Sequence, residues 1–365
     1  MLGAALTTAV LHAAAADPVD PRMADLAAPV RLAATVLRAP VRAPLRSPTR
    51  CVGLMRLVWP RVSRSQATPL IANDPYFQTY LPRGNLTDNP TVAGTNGQEQ
   101  QISAIAFIEG HVCQLIGPPE KGATAAAQLS VVVYPTRTVY ELMCGESWAL
   151  QTPMTVTFMT AQLPSNLTLM ARPVSYITFY SKPGAGSSNI QVYVDVTYQA
   201  STSPAKQGDP VNIACGTNMT QMGVYTGWLG NAATQSTPIP CASPPGACKN
   251  GDNINWGQLY LAQDGNPVAV GAADDMRSQF VSAGTLKDSA ACTSTLSGDS
   301  MPVLATVFDL NNQNDPGAPI SVVLGYDQDV AVRWWGTDFP GLWTQESATA
   351  QEMMAVAVAD TDYVS

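Results

Sequence analysis

The chain has 365 residues, of which 46% are hydrophobic and only 13% charged, with 27 Gly and 29 Pro. That charged fraction is about half the ~25% of ordinary globular domains, and with so many turn residues it points to an all-β, extracellular protein. The net charge of −8 hides a split: residues 1–66 hold nine Arg, no Lys and three acids, residues 67–365 hold ten basic and 24 acidic side chains, and so acidic a body excludes nucleic acid as a partner.

Residues 1–66 read as a disordered leader rather than as fold. Met1 to Ala16 is apolar and rich in small residues, and Ala13–Asp17 resembles a signal-peptidase site. The positive n-region of a signal peptide is missing, and the Ala/Pro/Arg stretch from Pro21 to Arg64 is transit-like. Secretion is the expectation; an organelle or a misplaced gene start is the alternative. The apolar stretch is shorter than the ~20 residues of a membrane span, so no span is expected.

Three sequons fit the secretory route: Asn85-Leu-Thr87, Asn166-Leu-Thr168 and Asn218-Met-Thr220. Six Cys lie beyond the leader and allow 15 pairings. Cys241 and Cys248 bracket a turn-rich loop that a disulfide would close, against two free thiols there. Cys113 and Cys144 sit in strand-like surroundings and read as buried, unreactive thiols.

From residue 67 to 340 the chain reads as one large antiparallel β-sandwich. Ile102–Ile108 and His111–Ile116 are a predicted hairpin, and Ala127–Tyr134, Thr138–Met143 and Thr155–Ala161 are further strands. Val174–Tyr180 and Ile190–Tyr198 read as the strongest hairpin. In the second of these, Ile190, Val192, Val194, Val196 and Tyr198 share a buried face, leaving Gln191, Tyr193, Asp195 and Thr197 half wet. Strands follow at 253–261, 302–310 and 320–326, and a strand over 325–335 closes the assembly. Ala272–Val281 is helical by pattern. So are residues 344–365, where Ala350, Met353, Met354, Ala357 and Val358 recur at helical spacing and Thr344 or Ser347 can cap. That last helix needs a partner surface, and residues 341–365 read as the start of a truncated helical domain.

Chemistry is sparse. His111 and Cys113 share a strand face, as packing or as a nucleophile pair. Asp327 and Asp329 project from one face about 7 Å apart by strand rise, as a solvated strand end, an acid/base pair or a cation site. Asp274 and Asp275 suit a helix N-terminus, and Asp309 to Asp315 suit a turn better than a calcium loop. Trp228, Trp256, Trp334, Trp335 and Trp343 supply either core or a platform for sugars. Trp334 and Trp335 point opposite ways if the chain is extended. No metal site and no cofactor are expected.

Eight blocks in order carry a resemblance. They are Pro69-Leu-Ile-Ala-Asn-Asp-Pro-Tyr-Phe, Leu81 to Asn89, Pro135-Thr-Arg-Thr-Val-Tyr and Met154-Thr-Val-Thr-Phe, then Leu169 to Phe179, Asp252 to Leu261, Met301-Pro-Val-Leu-Ala and Leu324-Gly-Tyr-Asp. The chain from about Thr68 to Asp362 resembles the N-terminal part of the fungal and bacterial glutaminase A family. The resemblance implies a secreted enzyme that hydrolyses glutamine to glutamate and ammonia, built as a β-sandwich followed by an α-helical toroid. It implies contact with such a toroid and, when that domain is present, glutamine as the small-molecule substrate. Val330-Ala-Val-Arg-Trp-Trp departs from the family's usual run, and no catalytic residue carries over. By position at the expected domain junction, Tyr326, Asp327, Asp329, Arg333 and Trp334 are the candidate substrate-binding residues. A carbohydrate-active or carbohydrate-binding β-sandwich, or a non-catalytic structural module, are the alternatives.

Overall fold

The computed structural model describes residues 67–73, 77–94, 97–145, 151–182, 189–200, 213–220, 223–231, 257–286, 301–310 and 318–361. β1 (Thr68–Ala72), β2 (Gln78–Leu81) and β3 (Val92–Ala93) form a small antiparallel sheet. The next elements are β4 (Ile102–Ile108), β5 (His111–Ile116), β6 (Thr124–Ala125), β7 (Ala127–Val133), β8 (Arg137–Cys144), β9 (Thr152–Met159) and α1 (Leu167–Ala171). After them come β10 (Val174–Ser181), β11 (Ile190–Thr197), β12 (Ile213–Met219), β13 (Val224–Asn231), β14 (Gln258–Asp264), β15 (Val268–Ala272) and α2 (Ala273–Ala283). β16 (Pro302–Asp309), β17 (Ile320–Asp327), β18 (Val332–Trp334), β19 (Thr337–Phe339) and α3 (Ala350–Ala359) complete the described part.

Two sheets make the body: β12-β13-β14-β17-β10-β9-β8-β7, and β15-β16-β11-β4-β5-β6. Their facing sides form one core, in which Ile102, Val192, Val194 and Leu304 of the smaller sheet meet Tyr140, Val156, Ile177, Phe179 and Leu324 of the larger. The expected β-sandwich is present. It is bound covalently as well, because Cys113 of β5 and Cys144 of β8 form a disulfide between the sheets. The expectation of two free buried thiols is corrected. Each Cys points inward from its own strand, and face-to-face packing brings the two Cα atoms to 5.8 Å. Cys215 also stands in a disulfide; Cys241 and Cys248 lie outside the described residues.

The β4–β5 hairpin forms as the pattern predicts. The hairpin expected between Val174–Tyr180 and Ile190–Tyr198 does not. β10 pairs with β9 and β17 in the larger sheet, whereas β11 pairs with β4 and β16 in the smaller one. Both strands place an apolar face in the same core, a pattern shared by hairpin partners and by strands of opposed sheets. The eight intervening residues are enough to cross the roughly 10 Å between sheets.

Nor is the second face of β11 wet. Tyr193 stacks on Phe280 of α2 (centroids 5.3 Å), and Asp195 is fully buried. The α2 side chain Arg277 grips the Asp195 carboxylate through Nε (2.6 Å) and Nη2 (2.8 Å), and the Tyr193 hydroxyl donates to the same carboxylate at 2.7 Å. Glu120 takes Arg277 Nη1 at 3.2 Å. Polar residues at strand period therefore read as solvated when they serve a helix-to-sheet lock. α2 itself begins with Asp274 and Asp275 at its positive end and stops at Gly284, which adopts φ 66°.

The C-terminal helix has its partner within the chain. Ala350, Met353, Met354 and Ala357 of α3 pack on Tyr176, Val224, Tyr260, Ala262 and Val323, the outer face of the larger sheet. Thr349 caps it, in place of Thr344 or Ser347, by accepting from Glu352 N at 3.2 Å, while Glu352 accepts from Ala348 N at 2.8 Å. Arg172, at the C-terminal end of α1, bonds Glu346 and Asp360 and ties down both ends of this segment.

Candidate functional site

β17 runs out of the sandwich between β10 and β14, and its end determines what the junction residues do. Tyr326 is the last inward-facing residue. It is fully buried and packs against Phe77 with centroids 6.0 Å apart, so it belongs to the core and presents nothing to a surface ligand. Asp327 is the last strand residue. The chain then turns, because Asp329 takes the left-handed conformation at φ 66° and its N–H bonds back to Asp327 Oδ1 at 3.1 Å. This is an Asx turn, suited to Asp on both counts. The expected continuous strand over 325–335 is thus broken after Asp327, and the two carboxylates sit on a turn instead of at strand spacing.

The carboxylates share an environment. Burial raises the pKa of Asp327, opposed by the Asp329 N–H and aided by the Asp329 charge; burial alone raises that of Asp329. Beneath them on β14, Tyr260 bonds Gln258 Oε1, and its phenol is pushed up first by burial and then by the charges of Asp327 and Asp329. Two carboxyls beside a buried phenol and an amide offer acceptors and amide N–H donors to a polar ligand. Tyr260 and Gln258 escaped the sequence reading because their link to Asp327 runs across the β14–β17 ladder, where Gln258 pairs with Asp327.

β18 and β19 then project as an exposed two-strand hairpin. Its loop is Trp335-Gly336, with φ values of 48° and 81°. Positive φ at both central residues is the type I′ geometry that matches strand twist, a geometry that favours Asn or Gly first. Trp335 occupies that position, at a strain of order 1–3 kcal/mol. The bend also turns its ring onto that of Trp334: the centroids are 5.8 Å apart and the planes within 11°. The expectation that the two indoles point opposite ways is corrected, because it assumed extended backbone. Trp335 is 91% exposed and Trp334 61%. Arg333 pairs with Asp338 across the hairpin (Nε to Oδ1 2.5 Å, Nη2 to Oδ2 3.0 Å), so its charge is already engaged. The Trp-Gly dipeptide between alternating residues was the legible signal for this turn.

The remaining candidates separate. Cys113 is in a disulfide, which removes the thiolate a His111–Cys113 pair requires. Asn85, Asn166 and Asn218 are all exposed. Asn166 caps α1 through Oδ1, accepting from Leu169 N at 3.0 Å, while Asn218 lies on the edge strand β12. Trp343 is buried beneath α3, and Trp228 is partly buried against the same cluster. Trp256 lies outside the described residues. Among the described residues no group of three or more His, Cys, Asp or Glu is placed to hold a metal ion. No described helix is long and apolar enough to cross a membrane.

No curated protein matches the chain. Residues 136–365 match a family described as a domain of unknown function, DUF5127, and this span takes in β10, β14, β17, the carboxylate turn, the tryptophan hairpin and α3. The chain belongs to the DUF5127 family.

Proposed function

We propose that this chain is the β-sandwich part of a secreted, glutaminase-like amidohydrolase, and that its Asp327–Phe339 segment forms its share of the substrate cleft. The observation that carries this reading is the Asp327–Asp329 turn, which brings two carboxyls together at the exit of a central strand, each with its pKa raised by burial. Amide hydrolysis needs a proton donor for the departing ammonia and donors for the tetrahedral oxyanion. A carboxyl whose pKa is raised by burial is suited to the first, and the side-chain N–H groups of Gln258, whose Oε1 accepts from the buried Tyr260 hydroxyl, are suited to the second. The resemblance of the eight sequence blocks to the glutaminase A family suggests the substrate, glutamine, and a helical toroid as the second wall of the cleft. The test is ammonia release from glutamine by this chain and by the same chain joined to a helical toroid domain. Loss on Asp327→Asn, with the fold intact, supports the assignment. Activity unchanged by Asp327→Asn and Asp329→Asn removes it.

A second reading is recognition of carbohydrate. It is favoured by Trp335, which the backbone displays in a strained conformation with its ring in solvent beside Trp334. A residue kept in a sparsely populated conformation at the surface points to use rather than packing. DUF5127 is a β-sandwich domain of a glycoside-hydrolase-like toroid family, which suits this reading too. Retention on immobilised glycans that vanishes with Trp334→Ala or Trp335→Ala supports it. Passage without delay, together with ammonia release, leaves the first reading alone.

A further inference from the structure

β7 ends the eight-stranded sheet, and among the described residues nothing pairs with its free side, whose one guard is an irregularity near its start. Leu129, Val132, Val133 and the following Tyr134 are 59%, 44%, 52% and 47% exposed. The Tyr134 N–H points inward to Arg137 O at 2.7 Å, so strand alternation aims the N–H and C=O groups of Val133 and Val131 outward. No Lys, Pro or charged residue occurs in Ala127–Val133, and the single irregularity, between Gln128 and Ser130, leaves Ser130–Val133 in straight register. Edge strands are guarded by a charge, a proline, a bulge or a cover, and within Ser130–Val133 the described residues show none of these.

Charge indicates what covers it. Residues 67–365 hold 24 acidic and ten basic side chains, so two bodies repel each other over most of their surface. The β7–β8 hairpin, Ala127–Cys144, carries one of each sign, Arg137 and Glu141, and is neutral. A second copy can approach there without charge repulsion. The opposite edge, β12, presents Asn218 within an exposed sequon, where a glycan would keep another strand away.

We propose that β7 is a self-pairing edge: two copies of this chain join β7 to β7 antiparallel about a two-fold axis and continue the eight-stranded sheet across it. The same strand meets itself, so the contact closes as a dimer rather than growing into a fibre. Main-chain hydrogen bonds from Val131 and Val133 hold the pair, and Val132 packs against its neighbour across the seam. The proposal is independent of either catalytic or sugar-binding chemistry.

Sedimentation velocity of the full chain over a range of concentrations tests it, with three variants. Val132→Lys places like charges across the seam, and Val133→Pro removes an outward donor without touching the β7–β8 ladder. Each should weaken a wild-type dimer by about tenfold or more, whereas Trp335→Ala should leave it unchanged. Circular dichroism confirms that the variants fold; Val132→Lys alters only an exposed side chain and carries the test if Val133→Pro does not fold. A wild-type monomer at every concentration overturns the proposal, even if an extended peptide binds the edge. So does a dimer indifferent to Val132→Lys.

Discussion

Met354 of α3 rests where residue 325 of β17 has no side chain: a Cβ on Gly325 would stand 2.5 Å from Met354 Sδ. Met354 is fully buried, so the thioether has little room to retreat. The seat of the C-terminal helix on the sheet is therefore written in one glycine. Gly325→Val should destabilise the protein by about 1–3 kcal/mol through overpacking. Urea denaturation measures this, and combining it with Met354→Ala should cost less than the two separate effects added together, because the pair shares one volume.

The disulfide between Cys113 and Cys144 closes a loop of 31 residues. By chain entropy that closure stabilises by about 3–4 kcal/mol. The Cys113→Ala, Cys144→Ala double variant should fold to the same sandwich with a lowered urea midpoint. Full reduction of the wild type should lower the midpoint further, because it also breaks the disulfide at Cys215.

Asp195 and Arg277 are 0% and 4% exposed and bound through two hydrogen bonds. Removing one partner leaves a buried charge. Arg277→Met should therefore cost about 3–5 kcal/mol, whereas replacing both residues by apolar ones should recover much of that. Thermal unfolding of the single and double variants separates the two outcomes.

Trp335 and Asp327 offer tests in which stability and function move in opposite directions. Trp335→Asn installs the residue preferred in a type I′ turn and should stabilise the hairpin by about 0.5–1 kcal/mol, while abolishing any binding that uses the indole. A variant that becomes less stable would contradict the strain at this position.

Burial raises the Asp327 carboxyl above its ordinary value of 3.8, so the folded state holds its proton more tightly than the unfolded one. Stability from this group is complete below pH 3.8 and is lost as pH rises through the raised value. Asp327→Asn should thus be more stable than wild type at neutral pH, and the difference should close on acidification. Urea titrations across pH 3–7 follow the trend.

Much of the fold was legible in the sequence. β4, β5, β10, β11, β16, β17 and α2 lie where alternation and helical spacing put them, because burial of one face writes a period into the chain. Pairing was less legible. β10 and β11 look like hairpin partners, and only the choice between two facing sheets separates them. At the candidate site the sequence offered Asp327, Asp329, Arg333 and Trp334 as neighbours. The conformations of Asp329 and Trp335 then turned an expected strand into a carboxylate turn and an aromatic hairpin. Tyr260, Gln258 and Asp338 came from other strands and carried no local mark.

The sequence alone determined an acidic, turn-rich β body and its strands, since composition and period follow from local burial. Tertiary structure alone decided that Cys113 meets Cys144, that Asp195 is locked to Arg277, that Gly325 receives Met354 and that β7 is left at an edge. Each is a contact between segments distant in the chain, and such contacts depend on which strands neighbour which, a choice that no local pattern encodes.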